Sequence, residues 1–308
     1  MVEMNDSGRF RRIRQLARES YGVSCISGIS ESRSAAIAGV IAEERQRQLL
    51  VVTSSYTRAK KLAEDLSLFA DQKIYVLPEE APIRITFEAK SQDALVERLI
   101  AMSALAAGED CIVVASVQSA VKRLAPKNLF LENKITLKLG GQVDLAQLKR
   151  QLIYMGYERV GSVEAKGQYS IRGGILDVYS PNQAHPCRVE FFDVEVDSIR
   201  FFDPLTQRSI EETQSIQVFP AQLIVQSDFL FEQAATRIRE IYESFAKKLP
   251  GEKRERLISR QGHIVESLET VTNIQLLENY IHYLYDKTNF LWDYLQDGGV
   301  VIVDDPDR

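Results

Sequence analysis

At 308 residues, 45% hydrophobic and 26% charged, the chain has the composition of an ordinary globular protein and the length of about two domains. A formal net charge of -5 argues against a surface devoted to phosphate backbones, and no apolar run reaches the roughly 18 residues of a membrane span. Cys25, Cys111 and Cys187 form no CxxC pair, and His185, His263 and His282 show no ligand spacing. A disulfide framework and a zinc site are therefore not expected, nor is any cofactor, and a reducing cytoplasm fits.

The first residues, MVEMNDSGRFRRIRQL, lack the apolar core of a signal peptide; Arg11, Arg12 and Arg14 read as a solvated helix face or a partner patch. From residue 23 to about 124, short β-branched runs alternate with helical stretches. VSCIS precedes RSAAIAGVIAEE, LLVVTSS precedes TRAKKLAEDLSLFA, KIYVLP leads to SQDALVERLIAMSALA, and CIVVAS leads to VQSAVKRLA. This rhythm predicts βα units on a parallel sheet, with strands apolar on both faces.

The predicted turn between Val23–Ser27 and the helix from Ala35 sits where phosphate-binding loops are found. Laid on the pattern G-x-x-x-x-G-K-[ST], residues 27–34 read Ser27-Gly28-Ile29-Ser30-Glu31-Ser32-Arg33-Ser34. Ser27 and Ser32 replace both glycines, adding Cβ atoms where backbone N–H groups should approach phosphate. Arg33 replaces the compact lysine, and only Ser34 keeps the pattern. Glu31 adds negative charge. The loop is read as a degenerate phosphate cradle that holds no nucleotide, or as a plain strand-to-helix turn capped by Ser30 or Ser32.

The rhythm breaks near Pro126. From ITLKLG (135–140) to about Pro220, one helix, VDLAQLKRQLIYMG, is followed mainly by strands: YERVGSV, YSIRGGILDVYS, RVEFFDVEV and DSIRFFD. They predict a small α+β domain with turn-rich joints. Within it, placing Val189 and Phe191 inward turns Arg188, Glu190 and Phe192 outward. Arg172 lies on a neighbouring strand beside Gly173-Gly174. Arginines and an outward aromatic ring anchor protein interfaces. Alternatively, Phe192 folds under a neighbouring strand and the arginines make local ion pairs.

After Pro220 the pattern turns helical, with Phe231, Ala235, Ile238, Tyr242, Phe245 and Leu249 on one face. EKRERLISR (252–260) reads as a solvated face. The closing GVVIVDDPDR predicts a strand ending in Asp304 and Asp305. These occupy the place of the magnesium-binding acid of a nucleotide enzyme, but without a competent cradle they read as a spent motif or a plain strand end.

Taken together, these motifs resemble a known family. Arg172-Gly173-Gly174-Ile175-Leu176-Asp177, Pro186 followed by Arg188 to Phe192, Asp197 to Asp203, and Gln207-Arg208-Ser209 resemble the second domain of the excinuclease subunit UvrB and of the transcription-repair coupling factor, Mfd. The resemblance extends over nearly the whole chain. It implies an α/β fold: a helicase-like parallel-sheet domain without a working phosphate loop, interrupted by a smaller α+β insertion. The implied boundaries are 1–130 and 221–308 for the two parts of the α/β domain and 131–220 for the insertion.

A UvrB-type member would need an intact phosphate loop and a long Tyr-rich hairpin. Here the loop is altered and the segment after Tyr75 is only VLPEEAPIRI, so the resemblance is to the amino-terminal module of the coupling factor. It implies a non-catalytic mimic of UvrB that recruits UvrA of nucleotide excision repair to RNA polymerase stalled at DNA damage. The alternative is an ATP-dependent UvrB-like excinuclease or helicase subunit. The family's UvrA-contacting residues fall on Arg172, Arg188 and Phe192. RNA polymerase, DNA and ATP are expected to engage only domains of a longer, cytoplasmic parent, a DNA translocase whose motor motifs are not seen here. The family usually has a Gly/Asp turn after Phe192. Asp193-Val194 stands there instead, and a β-branched residue is poor where positive φ is wanted.

Overall fold

The computed structural model describes residues 8–19, 22–79, 92–224, 228–269 and 278–305. The chain forms two compact units: residues up to 122 together with those from 290 onward, and residues 123–289. In sequence the second unit interrupts the first.

The first unit runs α1 (Gly8–Glu19), α2 (Glu31–Arg45), β1 (Leu49–Thr53), α3 (Tyr56–Leu66), β2 (Lys73–Leu77), α4 (Gln92–Ala107), β3 (Cys111–Ser116) and the short α5 (Val117–Ala120). A fourth strand, Val300–Val303, comes from the far end of the chain and lies parallel to β1. β3 lies on the other side of β1 and β2 lies beyond β3, all parallel. LLVVT and CIVVAS are buried along their whole lengths, as central strands of a parallel sheet must be. Ala35, Ala38 and Ala42 of α2 and Leu62 and Leu66 of α3 pack on Leu49, Val51, Ile112 and Val114. Each helix that follows a central strand starts on a serine. Ser55 Oγ accepts from the Arg58 N–H at 3.3 Å, and Ser116 Oγ from the Ser119 N–H at 3.3 Å.

The expected strand at Val23–Ser27 is absent. The stretch 22–30 is irregular, and Val23, Cys25 and Ser27 are exposed. Local β propensity makes a strand only where a neighbouring ladder accepts it, and no described strand pairs with this stretch. No helix among the described residues is long and apolar enough to cross a membrane.

The second unit opens with α6 (Lys127–Glu132), β4 (Ile135–Lys138) and α7 (Leu145–Tyr154). Seven strands follow: β5 (Glu158–Arg159), β6 (Gln168–Arg172), β7 (Ile175–Val178), β8 (Cys187–Phe192), β9 (Glu195–Phe202), β10 (Ser209–Glu212) and β11 (Ser215–Val218). Six of them form a sheet in the order β10-β9-β8-β7-β6-β5, antiparallel except for the short β5–β6 pair; β4 and β11 form a separate ribbon. Asp144 caps α7 by accepting from the N–H groups of Ala146 and Gln147 at 2.8 and 3.1 Å. Leu148 and Leu152 on that helix, with Met155, pack on Tyr169, Leu176, Val189, Phe191, Val196 and Ile199 from the sheet. One face of the sheet is thus sealed and the other is left for polar side chains, the usual division in antiparallel sheets. The unit ends in α8 (Asp228–Ala246), α9 (Gly251–Glu269) and the short α10 (Ile281–Leu284). There Ala234, Ala235 and Ile238 meet Ile264, Val265 and Leu268.

The fold is therefore mixed α/β: a parallel-sheet unit interrupted in sequence by a unit built on an antiparallel sheet.

Candidate docking face

Register decides what the open face of the six-stranded sheet displays. Asp177 on β7 stands opposite Ser170 on β6 and Arg188 on β8, and Arg188 stands opposite Arg200 on β9. One row therefore reads Ser170, Asp177, Arg188, Arg200. The next reads Arg172, Ile175, Glu190, Ser198. Beyond it, at the end of β8, comes Phe192. Val189 and Phe191 point into the core while Phe192 is 80% exposed, so the ring is not folded under a neighbouring strand.

Asp177 is the fixed point of the face. It is buried, and its carboxylate accepts from Arg188 Nε at 2.6 Å, from Arg188 Nη2 at 2.8 Å and from Arg172 Nη2 at 3.1 Å. The hydrogen bonds that Arg188 donates to Asp177, aided by the charge of that carboxylate, push the Arg188 guanidinium above its ordinary range. The same guanidinium lies over the Phe202 ring, 4.7 Å from its centroid. Beside this cluster Glu190 pairs with Arg200 and accepts from Ser198 Oγ at 3.1 Å.

The two arginines therefore differ. Sequence alternation turned Arg188 outward and the resemblance made both arginines partner contacts, but the side chain of Arg188 is only 19% exposed and two of its nitrogens are spent on Asp177. Its fork is closed because β7 and β8 put the acid directly opposite it. Arg172 is 60% exposed and gives Asp177 a single bond, so it is the open cation of the pair. The role of Asp177 was not read from the sequence. Its signal was present in the RGGILD motif, but pairing Asp177 with Arg188 requires the strand register.

Backbone geometry explains the residues that flank the face. A Cβ on Gly174 would stand 2.8 Å from the Phe191 carbonyl oxygen, and the Phe191 N–H donates to the Gly174 carbonyl at 2.8 Å. The β6–β7 turn passes too close to β8 for a side chain. Gly174→Ala is expected to cost about 1–3 kcal/mol of stability through that collision, read as a lowered thermal midpoint. In the turn after Phe192 the left-handed conformation falls on Asp193, at φ 58°, a residue that tolerates it better than Val194. Cys187 lies buried under the face, and burial pushes its thiol up to about 12; buried Cys111 in the first unit is pushed to about 12 in the same way.

The residues expected to form a spent nucleotide site are placed as follows. Gly28 takes φ 74° with nothing within 4 Å of an added Cβ, so no neighbouring group presses on that turn. Ser30 occupies the N-cap position of α2. Ser27 and Arg33 are exposed and Ser34 is half-buried; the side chain of Ser32 lies outside the described residues. At the other end of the chain the Asp304 carboxylate accepts from Arg58 Nε at 2.9 Å, with both side chains largely buried. Asp304 is thus engaged by a protein cation, and Asp305 follows it at φ 56°. Among the described residues no group of three or more His, Cys, Asp or Glu is gathered as a metal site.

Residues 135–223 match the profile of a family described as the UvrB interaction domain, a span that includes the whole six-stranded sheet. Along its length the chain is similar to the transcription-repair-coupling factor of Bacillus subtilis, 32% identical over 311 residues, covering 99% of this chain and 26% of that protein. The corresponding protein of Staphylococcus epidermidis is 30% identical over 284 residues, covering 92% of this chain and 24% of that one. In Staphylococcus haemolyticus the identity is 29% over the same length. The chain thus spans about a quarter of the length of these relatives. By these matches the chain is similar, over nearly all of its own length, to about a quarter of the length of the transcription-repair-coupling factors, and its residues 135–223 match the UvrB interaction domain.

Proposed function

We propose that this chain is a non-catalytic docking module that mimics UvrB. In this reading it recruits UvrA of nucleotide excision repair to RNA polymerase stalled at DNA damage, as part of a longer protein. The single observation that carries the reading is the position of the open face of the β6–β9 sheet. The exposed Phe192 and the open Arg172 stand together on it, inside the span that matches the UvrB interaction domain. Arg172 supplies charge-assisted donors to a carboxylate on UvrA, and Phe192 enters an apolar recess as the central anchor. Arg188 contributes chiefly by fixing Asp177 and, through it, Arg172. In domain terms the reading assigns docking to 131–220, between the two parts of the α/β domain at 1–130 and 221–308; by compactness alone, residues 221–289 group with the docking sheet.

The altered phosphate loop and the engagement of Asp304 by Arg58 support the absence of ATP turnover. The test is a titration of purified UvrA with the chain, in parallel with an ATP titration and a hydrolysis assay. The expected result is UvrA binding with no ATP hydrolysis and no ATP affinity in the micromolar range. ATP hydrolysis without UvrA binding would favour an ATP-dependent UvrB-like subunit instead.

A further inference from the structure

The docking reading uses Arg172, Arg188 and Phe192, yet the same end of the sheet exposes more apolar surface than those residues supply. Ile175 is 36% exposed and Val194 is 44% exposed. Ile175 stands opposite Arg172 on one side and Glu190 on the other, which puts it on the open face, diagonal to Phe192. Val194 follows Asp193 in the two-residue turn that joins Phe192 to its partner Glu195. The three residues therefore occupy neighbouring, exposed positions from β7 across the end of β8 to the β8–β9 turn. Beside and behind this strip the face is closed by ion pairs: Glu190, opposite Ile175, with Arg200, and Asp177, one row back, with Arg188. Single exposed apolar residues are ordinary, but a strip of three beside an open arginine is the composition of an interface centre.

We propose that Ile175 and Val194 extend the docking site, so that UvrA covers an apolar strip, Ile175–Phe192–Val194, while one of its carboxylates meets Arg172. This rests on the docking reading above. The occupant is the one assigned to the docking face, with which the strip is continuous: Arg172 at one end calls for a carboxylate on it, and the exposed Asp193 and Glu195 on either side of Val194 call for a cation at the other. Leu205 provides an internal control. It is 88% exposed, but it lies past Phe202, at the opposite end of β9 from Val194.

The experiment titrates UvrA with the wild-type chain, Phe192→Ala, the double variant Ile175→Ser/Val194→Ser, and Leu205→Ser, with a thermal melt of each. The double variant is expected to bind about tenfold more weakly with its midpoint within a few degrees of wild type, and Leu205→Ser to bind as wild type. If Phe192→Ala weakens binding and the double variant does not, the strip is wrong and the docking reading stands. If neither weakens binding, the docking reading falls with it. Equal weakening by Leu205→Ser would also overturn a localised strip, as would self-association of the chain abolished by the double variant, which would assign the strip to a second copy. Should the double variant melt early, Val194→Ser alone decides, because its side chain sits in a turn outside the core.

Discussion

Phe192→Ala is expected to raise the dissociation constant for UvrA by about 5- to 150-fold, equivalent to about 1–3 kcal/mol, the range of an interface anchor. The ring is 80% exposed, so truncating it removes no core packing and leaves the melting temperature of the chain unchanged. That separation of binding from stability is what marks a docking residue. Arg172→Ala is expected to behave in the same way, since its side chain is also mostly in solvent. Arg188→Ala is expected to lose both binding and stability, because that guanidinium is held by Asp177 and lies on Phe202. Calorimetric titration of the three variants, with a melt of each, reads the pattern. Unchanged affinity in all three would remove the assignment of the face.

Asp177→Ala is expected to be the most destabilising change on the face. It would leave Arg188 mostly buried with no carboxylate, and breaking a buried pair by deleting one partner costs about 3–5 kcal/mol. For a unit of this size that lowers the thermal midpoint by about 6–20 °C. Asp177→Asn keeps the shape but presents an amide to two guanidinium groups, so it is expected to fall in the same direction by less. At a temperature where each variant is still folded, both are expected to bind UvrA more weakly, because Arg172 loses the group that orients it. A melt and an affinity that match wild type for Asp177→Ala would show that the carboxylate organises nothing.

Much of this architecture is legible in the order of residues. The all-apolar runs LLVVT and CIVVAS announce central strands of a parallel sheet, because a strand covered on both faces has no place for a polar side chain. The alternation of Arg188 to Phe192 tells which side of β8 is core, since a strand can turn only every second residue the same way. The departures of Ser27, Ser32 and Arg33 from a phosphate loop are likewise visible without coordinates. Periodicity and composition are local properties, and these features depend on nothing else.

The remaining features depend on which strands meet. Val23–Ser27 has the composition of a strand and forms none, because pairing is supplied by a neighbour and not by the segment itself. Arg172 and Arg188 look equivalent along the chain, yet one is open and the other is clamped. Only the β7–β8 register brings Asp177 directly opposite Arg188, and a shift of one residue would turn that carboxylate to the other face. Asp304 and Arg58 are separated by most of the chain and meet only because Val300–Val303 lies beside β1. Face and period were determined by the sequence alone; which charges neutralise one another, and which arginine is left open to solvent, was decided by long-range pairing, because Coulomb and hydrogen-bond energies act over distances in space that chain separation does not predict.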